Sequence, residues 1–156
     1  MEAARRAEID DVGALVQLCR VARAELAPLR GGALFVDREA RGEPLAESFT
    51  AALADSLQAV WLGTIDGTPV GYAAVRLDPG RDGSLLAVID DLFVEQPARA
   101  VGVGEALMAQ VMAWADAAGA AGIDAIALPG ARDTKNFFEE TGFTARQLRM
   151  HHPLSP

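Results

Sequence analysis

The chain has 156 residues, of which 51% are hydrophobic and 23% are charged, a composition typical of a soluble globular protein. This length suits one domain, which we place over residues 1–156, with a core that needs neither disulfides nor a bound metal. The 22 acidic and 14 basic residues give a net charge of -8, and Lys135 is the only lysine, which argues against a nucleic-acid partner.

The N-terminal third of the chain predicts a strand and two helices. Residues 3–7 form a short strand pattern, and Asp10 is a good N-cap for the amphipathic helix that follows. Cys19 lies on the apolar face of this helix, which favours a core position over a disulfide or a nucleophile. Pro28 ends the helix, and an irregular segment then leads to a second helix over residues 44–57.

The middle of the chain predicts three strands. Residues 59–65 and 70–77 are strand patterns joined around Asp66-Gly67, which is a strong signal for an antiparallel hairpin. After a turn-rich stretch, residues 85–94 form the longest strand pattern in the chain. We interpret it as a central strand.

The C-terminal third alternates between helix and strand patterns. We predict a helix over residues 104–118, a short buried strand over 124–128, a helix over 134–140 and a last strand over 145–151. No apolar run reaches the length of a membrane span, and the N-terminal residues lack the apolar segment of a signal peptide. We therefore expect a cytoplasmic protein that does not interact with membranes.

The junction between the central strand and the following helix predicts an anion site. There Gly102 and Gly104 open the helix, so that unpaired backbone N–H groups and the positive end of the helix dipole point to one place. Both glycines also suit a turn that needs no side chain, which is the plainer interpretation. A dinucleotide-binding fingerprint fits poorly, because its third small residue would fall on Leu107.

The residues around this junction resemble the GNAT superfamily of N-acetyltransferases. Arg99-Ala100-Val101-Gly102-Val103-Gly104 is similar to the family's Gln/Arg-x-x-Gly-x-Gly/Ala loop, which binds acetyl-CoA. Upstream, residues 90–94 resemble the family's acidic-acidic-Leu-aromatic-Val strand. Downstream, residues 136–143 resemble its Phe-Tyr-Glu-x-x-Gly-Phe helix end.

The resemblance implies an α/β fold with a mixed, mostly antiparallel central sheet and helices on both faces. It implies acetyl-CoA as the acetyl donor and a primary amine of a small molecule or peptide as the acceptor, and it leaves a homodimer open. The residues implied in binding acetyl-CoA are Leu92, Phe93, Val94, Arg99, Ala100, Val101, Gly102, Val103, Gly104, Glu105, Asn136 and Phe138. Among them, a backbone N–H at Phe93 or Val94 would donate to the thioester oxygen, so that this role needs no side chain.

Asp90 and Asp91 are the candidate catalytic residues. An alkylamine has a pKa near ~10.4, so only about one molecule in a thousand is uncharged at neutral pH, and a general base assists its attack. In relatives that resemble spermidine/spermine acetyltransferase the base corresponds to Asp90, and Asp91 would then bind or orient the amine. Strand alternation predicts that the two side chains point to opposite faces, so that only one faces the site. Simple pairing with arginines is the alternative for either carboxylate.

The sequence departs from the family pattern where the leaving thiol would receive a proton. Phe138 stands at the position of the family's tyrosine, Ala131 stands at that of its asparagine, and Asn136 is out of register. Tyr72 is the only tyrosine, and its strand pattern favours a core or rim position. Because a thiol pKa lies near ~8.5, the sulfur can leave unaided as a thiolate. A non-catalytic acyl-CoA-binding module is therefore the second hypothesis beside an active enzyme.

Overall fold

A five-stranded sheet organises the computed structural model, which describes residues 1–155. The strands lie side by side in chain order, and only the last of them is parallel to its neighbour. They are β1 (Glu2–Arg6), β2 (Gln58–Ile65), β3 (Thr68–Pro79), β4 (Leu85–Val94) and β5 (Gly122–Ala125). The helices are α1 (Val12–Leu26), α2 (Gly32–Arg38), α3 (Leu45–Ala54), α4 (Val103–Ala117) and α5 (Arg132–Glu140).

Strand alternation divides the core into two layers, one on each face of the sheet. On one face α1 and α3 cover a layer that includes Phe49, Tyr72 and Phe93. On the other face α4 and α5 cover a layer that includes Trp61 and Phe138. The predicted α/β class, a mixed and mostly antiparallel sheet with helices on both faces, is confirmed.

The predicted hairpin between β2 and β3 is also confirmed. Its two turn residues, Asp66 and Gly67, have φ values of 49° and 82°, which is the left-handed conformation that the tightest hairpin turns require. The predicted bounds of β4 agree with the structure as well. Among residues 1–155, no helix combines the length and the continuous apolar character of a transmembrane segment.

Several predictions of local structure are wrong. Asp10 lies within a 3-10 turn over Ile9–Asp11, and the N-cap of α1 is Asp11. The strand predicted over residues 124–128 is β5, at Gly122–Ala125. The segment expected to be irregular contains α2, because Gly31 adopts a left-handed φ of 83° and starts a helix instead of ending one. The last strand, expected over residues 145–151, does not form. Its pattern specifies an extended chain, but no strand pairs with it, and Leu148 and Met150 are left exposed.

Candidate active site

Asp90 forms a β-bulge in β4. In the β3–β4 register Ala74 lies opposite Asp91 while Val75 lies opposite Ile89, so that Asp90 has no partner on β3. A bulge of this kind interrupts the alternation of side chains between the two faces of a sheet. The expectation that the two carboxylates point to opposite faces is therefore wrong, and both line the same recess.

This recess lies between the bulge of β4 and the segment that joins α2 to α3. It has a volume of about 130 Å³ and is open to solvent on one side. Its lining is mainly polar and carries both signs of charge. The lining residues are Glu39, Arg41, Gly42, Ser48, Asp90 and Asp91.

Asp91 is held firmly by two side chains from other elements. Arg41 donates from Nε to Oδ2 at 3.1 Å and from its terminal nitrogen to Oδ1 at 3.3 Å. The hydroxyl of Tyr72 donates to Oδ2 at 2.7 Å. The side chains of Arg41 and Asp91 are only 8% and 11% exposed, so water competes little for this ion pair.

Asp90 is much less constrained than its neighbour. Its side chain is 32% exposed and accepts one hydrogen bond, from Nε of Arg76 at 3.1 Å. Partial burial raises the pKa of Asp90 above its usual value, and the positive charge of Arg76 opposes that rise. The negative charge of Asp91 adds to it. Of the two adjacent aspartates, Asp90 is therefore the one with free capacity to accept a proton.

Tyr72 is not placed to donate a proton to a ligand. It is 2% exposed, and its hydroxyl hydrogen is engaged by Asp91. Burial raises the pKa of Tyr72 well above its usual value, and the nearby carboxylate adds to the effect. The hydroxyl consequently keeps its proton, and the expected core position is confirmed.

Beyond the bulge, β4 has an open edge. The parallel pairing with β5 ends at Ile89 and Ala125, so residues 90–94 have no partner strand on that side. On the other side residues 91–94 continue to pair with β3. The open edge thus offers backbone donors and acceptors next to the recess. An extended ligand could pair with these groups as a strand would.

The loop after β4 presents a cluster of free backbone donors. Within residues 1–155, the N–H groups of residues 100–105 donate no hydrogen bond to a protein acceptor. Ala100 and Gly102 have left-handed φ values of 67° and 97°, and Gly102 is the N-cap of α4. Alternating backbone of this kind forms an anion-binding concavity, and the helix dipole adds positive potential. We call residues 100–105 the N–H cradle.

Residues 27–143 match the sequence profile of the Acetyltransferase (GNAT) family, which amounts to three quarters of the chain. The chain belongs to the GNAT family. The family's donor is acetyl-CoA, and the free donors of the N–H cradle, with glycine at positions 102 and 104, are chemically suited to an anion such as its pyrophosphate.

Named relatives agree with this assignment. An aminoglycoside N(6')-acetyltransferase type 1 from Stenotrophomonas maltophilia is 39% identical over 82 residues, which cover 49% of this chain and 53% of that protein. The match thus spans about half the length of this curated relative.

Solved structures share the fold over nearly the whole chain. A putative acetyltransferase from Agrobacterium tumefaciens has a TM-score of 0.74 at 20% identity, with 97% of this chain and 99% of that one covered. AAC(6')-Iy in complex with the bisubstrate analogue CoA-S-monomethyl-acetylneamine has a TM-score of 0.74 at 19% identity, with 100% and 99% covered. A predicted acetyltransferase from Clostridium acetobutylicum, solved with acetyl-CoA, has a TM-score of 0.72 at 16% identity, with 99% and 97% covered.

Two residues of the GNAT loop motif have structural contacts of their own. Arg99 does not point into the N–H cradle: it pairs with Glu25 at 2.6 Å and donates to the carbonyl of Val94 at 2.9 Å. The missing side chain of Gly104 leaves room for Phe137, since a Cβ at position 104 would lie 3.1 Å from that ring. Arg99 therefore stabilises the loop, and Gly104 allows α5 to approach α4.

The two α5 residues of the GNAT motif lie in different surroundings. Phe138 is 6% exposed, and its ring centroid is 5.0 Å from that of Phe143. Asn136 is exposed on the surface of α5. Phe137, which the sequence analysis did not select, is the half-buried ring beside the start of α4.

Three residues that surround the catalytic candidates were not predicted from the sequence. Arg41 and Ser48 reach the recess from the α2–α3 side, and Arg76 reaches Asp90 from β3. No spacing rule links Arg41 to a carboxylate 50 positions away. Arg76 lies opposite Val88 and reaches Asp90 diagonally, two positions further along β4, so regular cross-strand pairing does not identify it.

Proposed function

We propose that this chain transfers the acetyl group of acetyl-CoA to a primary amine of a small molecule that binds in the recess. The observation that carries the proposal is the bulge in β4, which turns Asp90 and Asp91 to one recess beside the open strand edge. The aminoglycoside acetyltransferase relative and the neamine-derived analogue of the structural neighbour support a small amine as acceptor. A peptide amine is the other outcome of an acceptor screen.

Asp90 is the residue we assign as general base. Acetyl-CoA, when bound, supplies an acetyl group activated as a thioester. The amine nitrogen must lose a proton as it bonds to the acetyl carbon, and Asp90 has the exposure and acceptor capacity to take that proton directly or through one water. Asp91 lacks this freedom because Arg41 and Tyr72 occupy both of its oxygens.

Backbone groups supply the remaining electrostatic stabilisation in this proposal. A free N–H on the open edge of β4, at Val94, would donate to the oxygen on which negative charge develops. The N–H of Phe93 faces β3, because that of Glu95, two residues on, donates to the carbonyl of Val70. One preorganised donor of this kind contributes about 3 to 4 kcal/mol in enzymes where it has been removed. Cleavage of the C–S bond releases a thiolate, and with a thiol pKa near ~8.5 it needs no proton from Phe138.

Steady-state kinetics of matched variants test the role of Asp90. Asp90→Asn should lower kcat/KM by about 10²-fold or more, the effect usual for loss of a general base. Asp116→Asn, the same change at an exposed position on α4, should leave kcat/KM within twofold. The melting-temperature increase caused by CoA should be the same in all three proteins. Wild-type kinetics in Asp90→Asn would contradict the assignment.

A non-catalytic acyl-CoA-binding module is the second candidate function. One observation favours it: Asp90 and Asp91 each accept a hydrogen bond from an arginine. Simple pairing with arginines is the non-catalytic alternative for both carboxylates. Such a module would raise its melting temperature with CoA and release no thiol with any amine. Turnover with even one amine would exclude it.

A further inference from the structure

We propose that Arg41 and Tyr72 are positioning residues of this acetyltransferase: they fix Asp91, and through it they hold Asp90 towards the acceptor recess. The inference rests on the proposed function of Asp90 as base. It also changes the expected role of Asp91, which becomes an anchor of the bulge and no longer a ligand of the amine.

The anchor is held by elements that are distant in sequence. Arg41 comes from the segment between α2 and α3, Tyr72 from β3 and Asp91 from β4. Arg41 also donates to Oγ of Ser48 at 3.1 Å, and its guanidinium lies 4.5 Å from the ring centroid of Phe49. Every donor group of this network is buried or half-buried, so its geometry is preorganised before any ligand binds.

The bulge explains why Asp90 depends on this anchor. A regular strand residue is positioned by its cross-strand partner, but Asp90 has none on β3. Its backbone position is therefore set by the residues beside it, and Asp91 is the one that makes three hydrogen bonds to other elements. Loosening Asp91 would free the bulge and let the carboxylate of Asp90 turn away from the recess.

The network also controls charge around Asp90. Adjacent carboxylates on one face repel each other, and the guanidinium of Arg41 offsets the charge of Asp91. The other charged groups near Asp90 are Arg76 on β3, which also lies 3.9 Å from Asp78, and Glu39 at the end of α2, which pairs with Arg149. None of these contacts Asp91 within the described residues, so removing the charge of Arg41 leaves Asp91 uncompensated. Asp90 should then hold its proton to higher pH.

Variants of Arg41 separate charge from geometry. Arg41→Gln should lower kcat/KM at least tenfold and move the acidic limb of its pH profile to higher pH. Arg41→Lys keeps the charge but loses the two-pronged contact, so the acidic limb should stay in place while kcat falls. Arg38→Gln, the control at an exposed arginine of α2, should resemble the wild type in both respects.

Tyr72→Phe is the mildest test, because it removes one hydroxyl from a packed ring. We expect kcat to fall about three- to tenfold with KM for acetyl-CoA unchanged, since the N–H cradle is not touched. If Arg41→Gln does not fold, as judged by loss of its cooperative melting transition, Tyr72→Phe and Arg41→Lys decide the question. Wild-type kcat and pH profiles in both of these folded variants would overturn the proposal.

A titration of the Asp90 carboxyl carbon by NMR keeps this inference distinct from the proposed function. The pKa of Asp90 should rise in Arg41→Gln and change little in Arg41→Lys, whether or not an active amine is known. An unchanged pKa in folded Arg41→Gln would overturn the electrostatic part of the inference. Failure of the wild type to acetylate any amine, with the NMR shift observed, would count against the proposed function alone.

Discussion

Gly102 offers a direct test of the N–H cradle. Its φ of 97° is left-handed, and an added Cβ would lie 3.2 Å from Cγ of Glu2. Left-handed backbone costs an L-residue about 1–2 kcal/mol, so Gly102→Ala should either lose stability or shift the loop. A shifted loop no longer directs its N–H groups at one point. We therefore expect weaker binding of CoA.

The magnitude of the effect follows from linkage. CoA at about 100 times its Kd stabilises the wild type by about 2.7 kcal/mol, or roughly 5–11 °C in Tm for a chain of this size. A tenfold loss of affinity at the same CoA concentration leaves about 1.4 kcal/mol, or roughly 3–6 °C. The CoA-dependent rise in Tm should thus fall by about half or more in Gly102→Ala.

Gly83 provides the matched control. It has a φ of 84°, lies in the β3–β4 turn, and an added Cβ there would meet nothing within 4 Å. Gly83→Ala should lose a similar amount of intrinsic stability yet keep the full CoA-dependent rise in Tm. Differential scanning fluorimetry with and without CoA measures both quantities. An undiminished rise in Gly102→Ala would show that the pyrophosphate binds elsewhere.

Two further predictions concern Asp90 and Phe138. The pKa of Asp90 is raised in the folded state, so the folded protein binds this proton more tightly than the unfolded chain does. The free energy of unfolding therefore falls as the pH rises from the unfolded-state pKa of Asp90 to its folded-state pKa. The Tm of Asp90→Asn relative to that of the wild type should therefore be highest at neutral pH. A Tm difference between the two proteins that does not shrink below pH 3.8 would contradict the direction of the pKa shift. Phe138→Tyr adds a hydroxyl to a buried aromatic cluster, where an unpaired hydroxyl costs about 1–3 kcal/mol, so Tm should fall by roughly 2–12 °C. Its kcat should change less than tenfold, and a hundredfold rise would mean that the missing phenol limits the enzyme.

The sequence predicted the elements that carry strong local signals. The hairpin at Asp66-Gly67, the bounds of β4 and the helix opened by the glycine pair Gly102 and Gly104 each depend on a few adjacent residues. The structure contains all three, and α4 begins at Val103, one residue before its predicted start. Residues 90 and 91 were recognised as a pair for the same reason. Their acidic side chains are adjacent in the chain, and the strand around them is apolar.

What the sequence could not predict depends on partners distant in the chain. The bulge at Asp90 appears only in the β3–β4 register, and alternation gave the wrong face for one carboxylate. The ion pair of Arg41 with Asp91 joins residues 50 apart, and the segment around Arg41 has no periodic pattern. The prediction of a last strand is wrong for the opposite reason: residues 145–151 have a local strand pattern, but β5 is the edge of the sheet and does not pair with them.

Amine-dependent thiol release from acetyl-CoA is the measurement that tests the central claim most directly. The purified chain would be incubated with acetyl-CoA and a panel of aminoglycosides, polyamines, amino-acid amides and short peptides, and each product would be checked by mass spectrometry for one added acetyl group. We predict release of one thiol for each acetylated amine with at least one small cationic acceptor, and strongly reduced release by Asp90→Asn. A protein whose Tm rises with CoA but that acetylates no member of the panel would contradict the account and favour the binding module.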